Sequence, residues 1–173
     1  MKELSFKIGT IVRIEGCNHV GIVLDKYNTI ELIACIEDKK AEPICRIVAV
    51  NIQNNKKHPV TGKEFTYEVE KLKKGFTPFE FTTHELKKRI KQIRSKYEGT
   101  KYNKITNNCQ HFAYEVATGQ RKSPDADRFK MFSMFHKQLS AIEKMSNGDS
   151  TSSTNSVDLQ SFKNNFDELI LST

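Results

Sequence analysis

Cysteines and histidines are this chain's nucleophiles and proton carriers at neutral pH, and it has four of the first and five of the second. Cys109 stands out among them. It follows Asn107 and Asn108 and opens the run Cys109 to Gly119, in which Phe112, Ala113 and Val116 recur at helical spacing. Asn107 or Asn108 suits an N-cap, and Gly119 suits a helix end. A thiol at a helix N-terminus meets unpaired backbone N–H groups and the positive end of the helix dipole, and both favour the thiolate. The same N–H groups are placed to hold an oxyanion once a carbonyl is attacked. The plainer alternative is a small buried residue that happens to begin a helix.

A thiolate nucleophile needs a base, usually a histidine whose ring is held by a third group. His19 lies in the β-rich run Asn18-His19-Val20-Gly21-Ile22-Val23. Glu31 interrupts Thr29-Ile30-Glu31-Leu32-Ile33, where an ionised carboxylate facing a core needs a partner. The two are separated by a hairpin signal around Asp25-Lys26-Tyr27-Asn28. If the turn has an odd number of residues, paired positions sum to an even number. His19 and Glu31 then share a face and lie opposite or diagonal to each other. Gly21, on that face, leaves room above the sheet. A carboxylate beside the imidazole fixes its tautomer and raises its basicity. If the Cys109 helix packs on the same face, a Cys109–His19–Glu31 triad assembles.

The competing residues are weaker candidates. His111 is two positions past Cys109, so it projects away from the thiol and reads as a packing or hydrogen-bonding residue. Cys17 reads as a bystander thiol in a loop, and Glu115 as a surface helix residue. His58, His84 and His136 have no evident partner.

The elements that must position these groups divide the chain in two. The first half reads as strands at Thr10–Ile14, His19–Leu24, Thr29–Ile36, Ile44–Ile52 and Phe65–Leu72, with a short edge piece at Pro78–Phe81. The second half reads as helices. Thr82 with Glu85 forms a capping-box pattern, and Leu86, Ile90, Ile93 and Tyr97 follow at helical spacing. A polar loop leads to Cys109. A last amphipathic helix is expected at about 125–145, carrying Phe129, Phe132, Phe135, Leu139 and Ile142. The chain of 173 residues therefore reads as one α+β domain over 1–145, with its core at about 6–122. Residues 146–173 have the polar composition of a disordered tail, in which Phe162, Phe166, Leu169 and Ile170 suit a single helical turn or a frayed end.

No apolar run approaches the roughly 18–20 residues that span a membrane, and the N-terminus has no apolar h-region. Reduced thiols and a cytoplasmic location are therefore expected. No CxxC spacing occurs, so neither metal nor cofactor is expected. The net charge of +7 collects at Lys71–Lys74 and Lys87–Lys91. Such surfaces favour anionic partners, including phospholipid headgroups, or are simply solvated. No nucleic-acid motif is present, and no nucleic-acid partner is expected.

The segment Asn107-Asn108-Cys109-Gln110-His111-Phe112 resembles the nucleophile box of the lecithin:retinol acyltransferase-like proteins, which typically reads Asn-Cys-Glu-His-Phe. Lys7-Ile8-Gly9-Thr10-Ile11-Val12 is similar to that family's opening strand, and Asn18 to Val23 to the block around its catalytic histidine. Tyr102 to Asn107 resembles its approach to the nucleophile. The resemblance spans about residues 6–122. It implies a circularly permuted papain-like fold and a thioester acyl-enzyme, with a glycerophospholipid as a common acyl donor. Three positions depart from the family. Glu31 stands where a histidine is common, Gln110 replaces the usual glutamate, and Val20 replaces a bulky residue. Members of this family often end in a membrane-spanning segment; here Phe129 to Phe135 suits a bilayer interface or ordinary packing instead.

The leading expectation is thus an acyltransferase or phospholipase-type hydrolase acting on lipid esters, in peripheral contact with an anionic membrane. The alternatives are a cysteine amidase or peptidase on the same scaffold, as in the distantly similar NlpC-type hydrolases, and an inactive interaction module. A closed apolar channel would favour lipid, and an open polar cleft would favour peptide.

Overall fold

The computed structural model describes residues 2–38, 41–53, 56–128 and 130. Five strands make one sheet: β1 (Ile11–Ile14), β2 (Val20–Val23), β3 (Asn28–Cys35), β4 (Ile44–Asn51) and β5 (Tyr67–Val69). Their order is β4-β3-β2-β1-β5, with every neighbouring pair antiparallel. Helix α1 (Thr83–Ile93), a 3-10 turn (Arg94–Lys96) and helix α2 (Cys109–Thr118) follow. The architecture is α+β, as the sequence predicts.

Strand alternation sorts the apolar side chains into two cores. Ile11, Val20, Ile22, Ile30, Leu32 and Ile47 pack on one face against Leu86, Ile90 and Ile93 of α1 and Phe112, Ala113 and Val116 of α2. Val12, Val23, Ile33, Val48, Val50 and Phe65 form a second core on the other face. Strand β3, between β4 and β2, is buried on both sides from Thr29 to Ile33.

The β2–β3 register pairs Ile22 with Ile30 and Val23 with Thr29. The sums are even, as the hairpin argument requires. Two positions further on, Gly21 comes opposite Glu31, and His19 lies diagonal to it. A Cβ at Gly21 would sit 2.7 Å from Glu31 Cγ, so the glycine makes the room that Glu31 occupies. Asp25 closes the turn by accepting the N–H groups of Tyr27 and Asn28 at 2.8 and 2.9 Å.

Both helices begin where their sequence signals place them. Thr82 and Glu85 cap α1 reciprocally, and Gly119 ends α2 at φ 76°. Two expectations in the middle of the chain are corrected. The strand expected over Phe65–Leu72 shortens to Tyr67–Val69. Residues 78–81 form no strand, because the Phe79 N–H bonds the Ala117 carbonyl at 2.7 Å and follows the end of α2 instead. Residues 124–128 are helical. Phe129, Phe132, Phe135, Leu139, Ile142, His136 and the polar tail lie outside the described residues. Among the described residues, no helix is long and apolar enough to cross a membrane.

Candidate active site

The site is built from the start of α2 outward. Asn108 is its N-cap: Oδ1 accepts the His111 N–H at 3.1 Å, and His111 Nδ1 accepts the Asn108 N–H at 3.2 Å. A histidine thus fills the place that glutamate or glutamine takes in the usual capping box. His111 therefore acts as an acceptor. Burial first, then the nearby Arg121 and Lys130, pushes it down to about 4, which keeps that nitrogen free to accept. Cys109 is the first helical residue and is buried, with Sγ 3.7 Å from the Asn18 carbonyl.

The loop before the helix is fixed to the start of β4. The Cys45 N–H donates to the Thr100 carbonyl at 2.6 Å, and the Tyr102 N–H donates to the Pro43 carbonyl at 2.8 Å. Asn107 Nδ2 adds bonds to Thr100 Oγ1 and the Lys101 carbonyl, both at 2.9 Å. These contacts bring the Tyr102 hydroxyl to the thiol.

His19 precedes β2 and brings its ring to Cys109. A triad on one sheet face requires α2 to pack on the face that carries His19 and Glu31. It packs on the opposite face, with Val20, Ile22, Ile30 and Leu32. The thiol and the imidazole meet instead past the end of β2, where the chain is no longer bound to strand alternation. The His19 Nε2 lies 2.6 Å from Glu31 Oε2. That leaves Nδ1 as the nitrogen available to the thiol.

Glu31 is fully buried, and each of its bonds comes from a named donor. Oε1 accepts the Thr29 hydroxyl at 2.6 Å. Oε2 accepts His19 Nε2 and also His58 Nε2, the latter at 2.8 Å. His58 had no evident partner in the sequence, yet it is fully buried and packs edge-on against Phe65. Glu115 is corrected as well. It is buried rather than on the surface, and it accepts Tyr97 Oη at 2.6 Å and Lys96 Nζ at 2.5 Å. Cys17 bonds the Ile14 carbonyl at 3.4 Å, and His84 is exposed on α1; neither joins the site.

The electrostatics follow from this arrangement. Burial alone would push the Cys109 thiol up. Its hydrogen bond to His19, the charge of His19, the Val20 N–H and the Tyr102 hydroxyl outweigh burial and hold it below the ordinary value. Burial would push His19 down, but the Glu31 charge and the bonds to Cys109 and Glu31 raise it well above its ordinary value. Burial would raise the Glu31 carboxyl, but His58 and His19 hold it well below the carboxylate range. The combination favours a thiolate–imidazolium pair on a buried carboxylate.

His19, Glu31 and His58 offer ligand atoms within 4.8 Å of one another, the one such grouping among the described residues. The set does not suit a cation. His58 Nδ1 accepts the N–H groups of Val60 and Thr61, both at 3.2 Å, so the ring proton sits on Nε2. A metal at Nε2 would move that proton to Nδ1, against two N–H donors.

Beside Cys109, Gln110 Nε2 donates to Glu70 at 3.1 Å and to Asp125 at 3.0 Å. Arg13 clamps the same two carboxylates from β1, at 2.6 and 2.9 Å. These charges line an open cleft of about 480 Å³ that reaches Asn18 and is edged by Glu68, Lys71 and Arg128. A larger apolar groove of about 900 Å³ has Phe6, Ile8, Leu72, Phe79 and Phe81 in its walls, and neither the cleft nor the groove contains Cys109, His19 or Glu31.

A family model described as the PPPDE putative peptidase domain matches residues 8–144. No curated protein and no solved structure gives a significant match. The family match overturns the resemblance to the lecithin:retinol acyltransferase-like proteins. The His19 block and the Asn-Cys box are short signals for a thiol site between a sheet and a helix, and they do not specify an acyltransferase. Matched over most of its length, with a thiol and an imidazole brought together, the chain belongs to the PPPDE peptidase family, a group of thiol-dependent hydrolases with a papain-like fold.

Proposed function

We propose that the protein is a cysteine peptidase or amidase in which Cys109 is the nucleophile, His19 the general base and acid, and Glu31 the group that orients His19. One observation carries the reading: a thiol at a helix N-terminus meets an imidazole whose far nitrogen is bonded at 2.6 Å to a buried carboxylate. The order of the parts, with the histidine strand ahead of the cysteine helix, supports a circularly permuted papain-like arrangement.

The chemistry follows from these positions. The Cys109 thiolate attacks the carbonyl carbon of an amide, and an S–C bond forms as the C=O electrons move to oxygen. The positive end of α2 and the Tyr102 hydroxyl, which lies against the Cys109 backbone N–H and thiol, favour negative charge on that oxygen. The His19 imidazolium gives its Nδ1 proton to the amide nitrogen, the C–N bond breaks, and the amine leaves. Water then attacks the thioester while His19 takes one of its protons. Collapse releases the acid and returns Cys109 to the thiolate. Glu31 keeps its negative charge throughout.

An amide is favoured over a lipid ester by the peptidase-family match and by the polar cleft beside Asn18. The cleft that reaches Asn18 is open and lined with both signs of charge, which suits a polar peptide. Neither this cleft nor the apolar groove that would accept an acyl chain has Cys109, His19 or Glu31 in its wall, but the polar cleft is lined by Asn18, whose carbonyl lies 3.7 Å from Cys109 Sγ. The test is hydrolysis of a peptide library beside vesicles of anionic phospholipid, read by mass spectrometry, with Cys109→Ala as the blank. Amide cleavage that disappears in the variant is expected. Release of fatty acid without any peptide cleavage would overturn the peptidase reading in favour of the lipid hydrolase.

A further inference from the structure

His58 and His19 share one oxygen of Glu31, but their second nitrogens meet opposite surroundings. His19 Nδ1 is left for the thiol, a group that exchanges a proton with it. His58 Nδ1 faces the N–H groups of Val60 and Thr61 at 3.2 Å, and these only donate. The loop itself locks this geometry. The His58 N–H donates to the Lys63 carbonyl at 2.7 Å, and the Gly62 N–H donates to the His58 carbonyl at 2.8 Å. The ring is therefore held as the Nε2–H tautomer, with that proton aimed at Glu31 Oε2. Of the two imidazoles, only His19 is free to gain and lose a proton without breaking bonds.

Resting on the catalytic reading above, we propose that His58 is a positioning residue: a donor fixed by its own loop that holds the Glu31 carboxylate in place, so that His19 alone carries the proton between thiol and substrate.

A buried carboxylate without donors is costly, and two donors from opposite sides also fix its direction. Thr29 on β3 holds Oε1, and His58 holds Oε2 from the loop. The other groups facing this pair are His19 ahead of β2 and Tyr67 of β5; Phe65 closes the remaining side of the His58 ring. The His19 and His58 rings stand edge to face at 5.3 Å, which keeps them from bonding each other around Glu31. Loss of His58 leaves Oε2 with His19 alone. The carboxylate then binds a proton more readily, His19 loses part of its anion, and the thiolate forms at higher pH.

The experiment has two parts. In the parent protein, nitrogen NMR of the histidine rings is expected to find His58 protonated on Nε2 and bare on Nδ1. A proton on Nδ1 overturns the proposal without any variant. Alkylation of Cys109 is then followed against pH in His58→Phe and His58→Gln, with thermal melts to confirm that each is folded. His58→Phe is expected to move the apparent pKa upward and slow alkylation about tenfold at neutral pH. His58→Gln, with an amide N–H for Glu31 and a carbonyl for the loop, is expected to recover most of that loss. A folded His58→Phe whose profile coincides with the parent's overturns the proposal, because a purely structural role would lower the melting temperature and leave the profile in place. If His58→Phe does not fold, His58→Gln and the NMR tautomer decide. The same alkylation series on His19→Ala separates the two ideas. A flat response there defeats the catalytic reading, whereas a response to His19 and none to His58 defeats only this one.

Discussion

Glu31 has no contact with water, and its charge rests on three donors. Glu31→Gln keeps the shape and removes the charge. The Cys109 thiol is then expected to titrate closer to its ordinary value, with alkylation at neutral pH falling about 10–100-fold. A Cys109 profile unchanged in that variant would show that the carboxylate does not act on the pair. Gly21→Ala tests the space instead. Its Cβ would meet Glu31 Cγ at 2.7 Å, so the strand or the carboxylate must shift. A loss of about 1–3 kcal/mol in denaturant melts, together with lower alkylation of Cys109, is expected. At this scale much was legible. The even register and the glycine opposite Glu31 follow from strand alternation alone. His58 was not legible, because its bond to Glu31 spans 27 residues and is set by a loop whose path has no periodicity to read.

At the scale of elements, α2 depends on an asparagine followed by a histidine rather than on the usual acidic partner. Asn108 caps the helix and also donates Nδ2 to Ser123 Oγ at 3.0 Å. Asn108→Ala is expected to lower stability by about 1 kcal/mol and to raise the apparent pKa of Cys109, measured by melts and by alkylation. An unchanged thiol in a folded variant would mean that the helix terminus contributes little to its charge. Helix boundaries at Thr82, Asn108 and Gly119 were readable from capping chemistry, which is local. The face on which α2 packs was not. Alternation says that His19 and Glu31 share a face, but both faces of β3 are buried, so it does not say which one takes a helix. Glu115 was misread for a related reason: its partners Lys96 and Tyr97 come from the preceding helical segment, and one helix's own spacing does not reveal them.

At the scale of the whole fold, two cores of the described residues share one sheet, and Cys109, His19 and Glu31 meet at the sheet's end where both are reached. This explains why short motifs suggested the wrong family. The Asn-Cys box and the histidine block encode a meeting of sheet and helix, whereas the neighbouring network of Arg13, Glu70, Gln110 and Asp125 is drawn from distant segments. The buried carboxylates also set how the fold responds to acid. Glu31 and Glu115 are both held below the ordinary value of 4.5, so near that pH the unfolded chain binds more protons than the folded one. Their contribution to stability is therefore present above 4.5 and is lost as pH falls through it toward the folded values. Melting temperatures are expected to drop between about pH 5 and pH 3 in the parent, with a shallower slope in Glu31→Gln. Equal slopes in the two would show that Glu31 is protonated alike in both states.

Alkylation of Cys109 against pH, in the parent and in His19→Ala, decides whether Cys109 and His19 share a proton as one unit. Counting only the peptide that contains Cys109 by mass spectrometry sets Cys17, Cys35 and Cys45 aside. An apparent pKa for Cys109 below that of a free thiol is expected in the parent, with a return toward or above the free-thiol value in His19→Ala. A Cys109 that titrates like a free thiol in the parent, or whose profile is the same in both proteins, would contradict the shared proton.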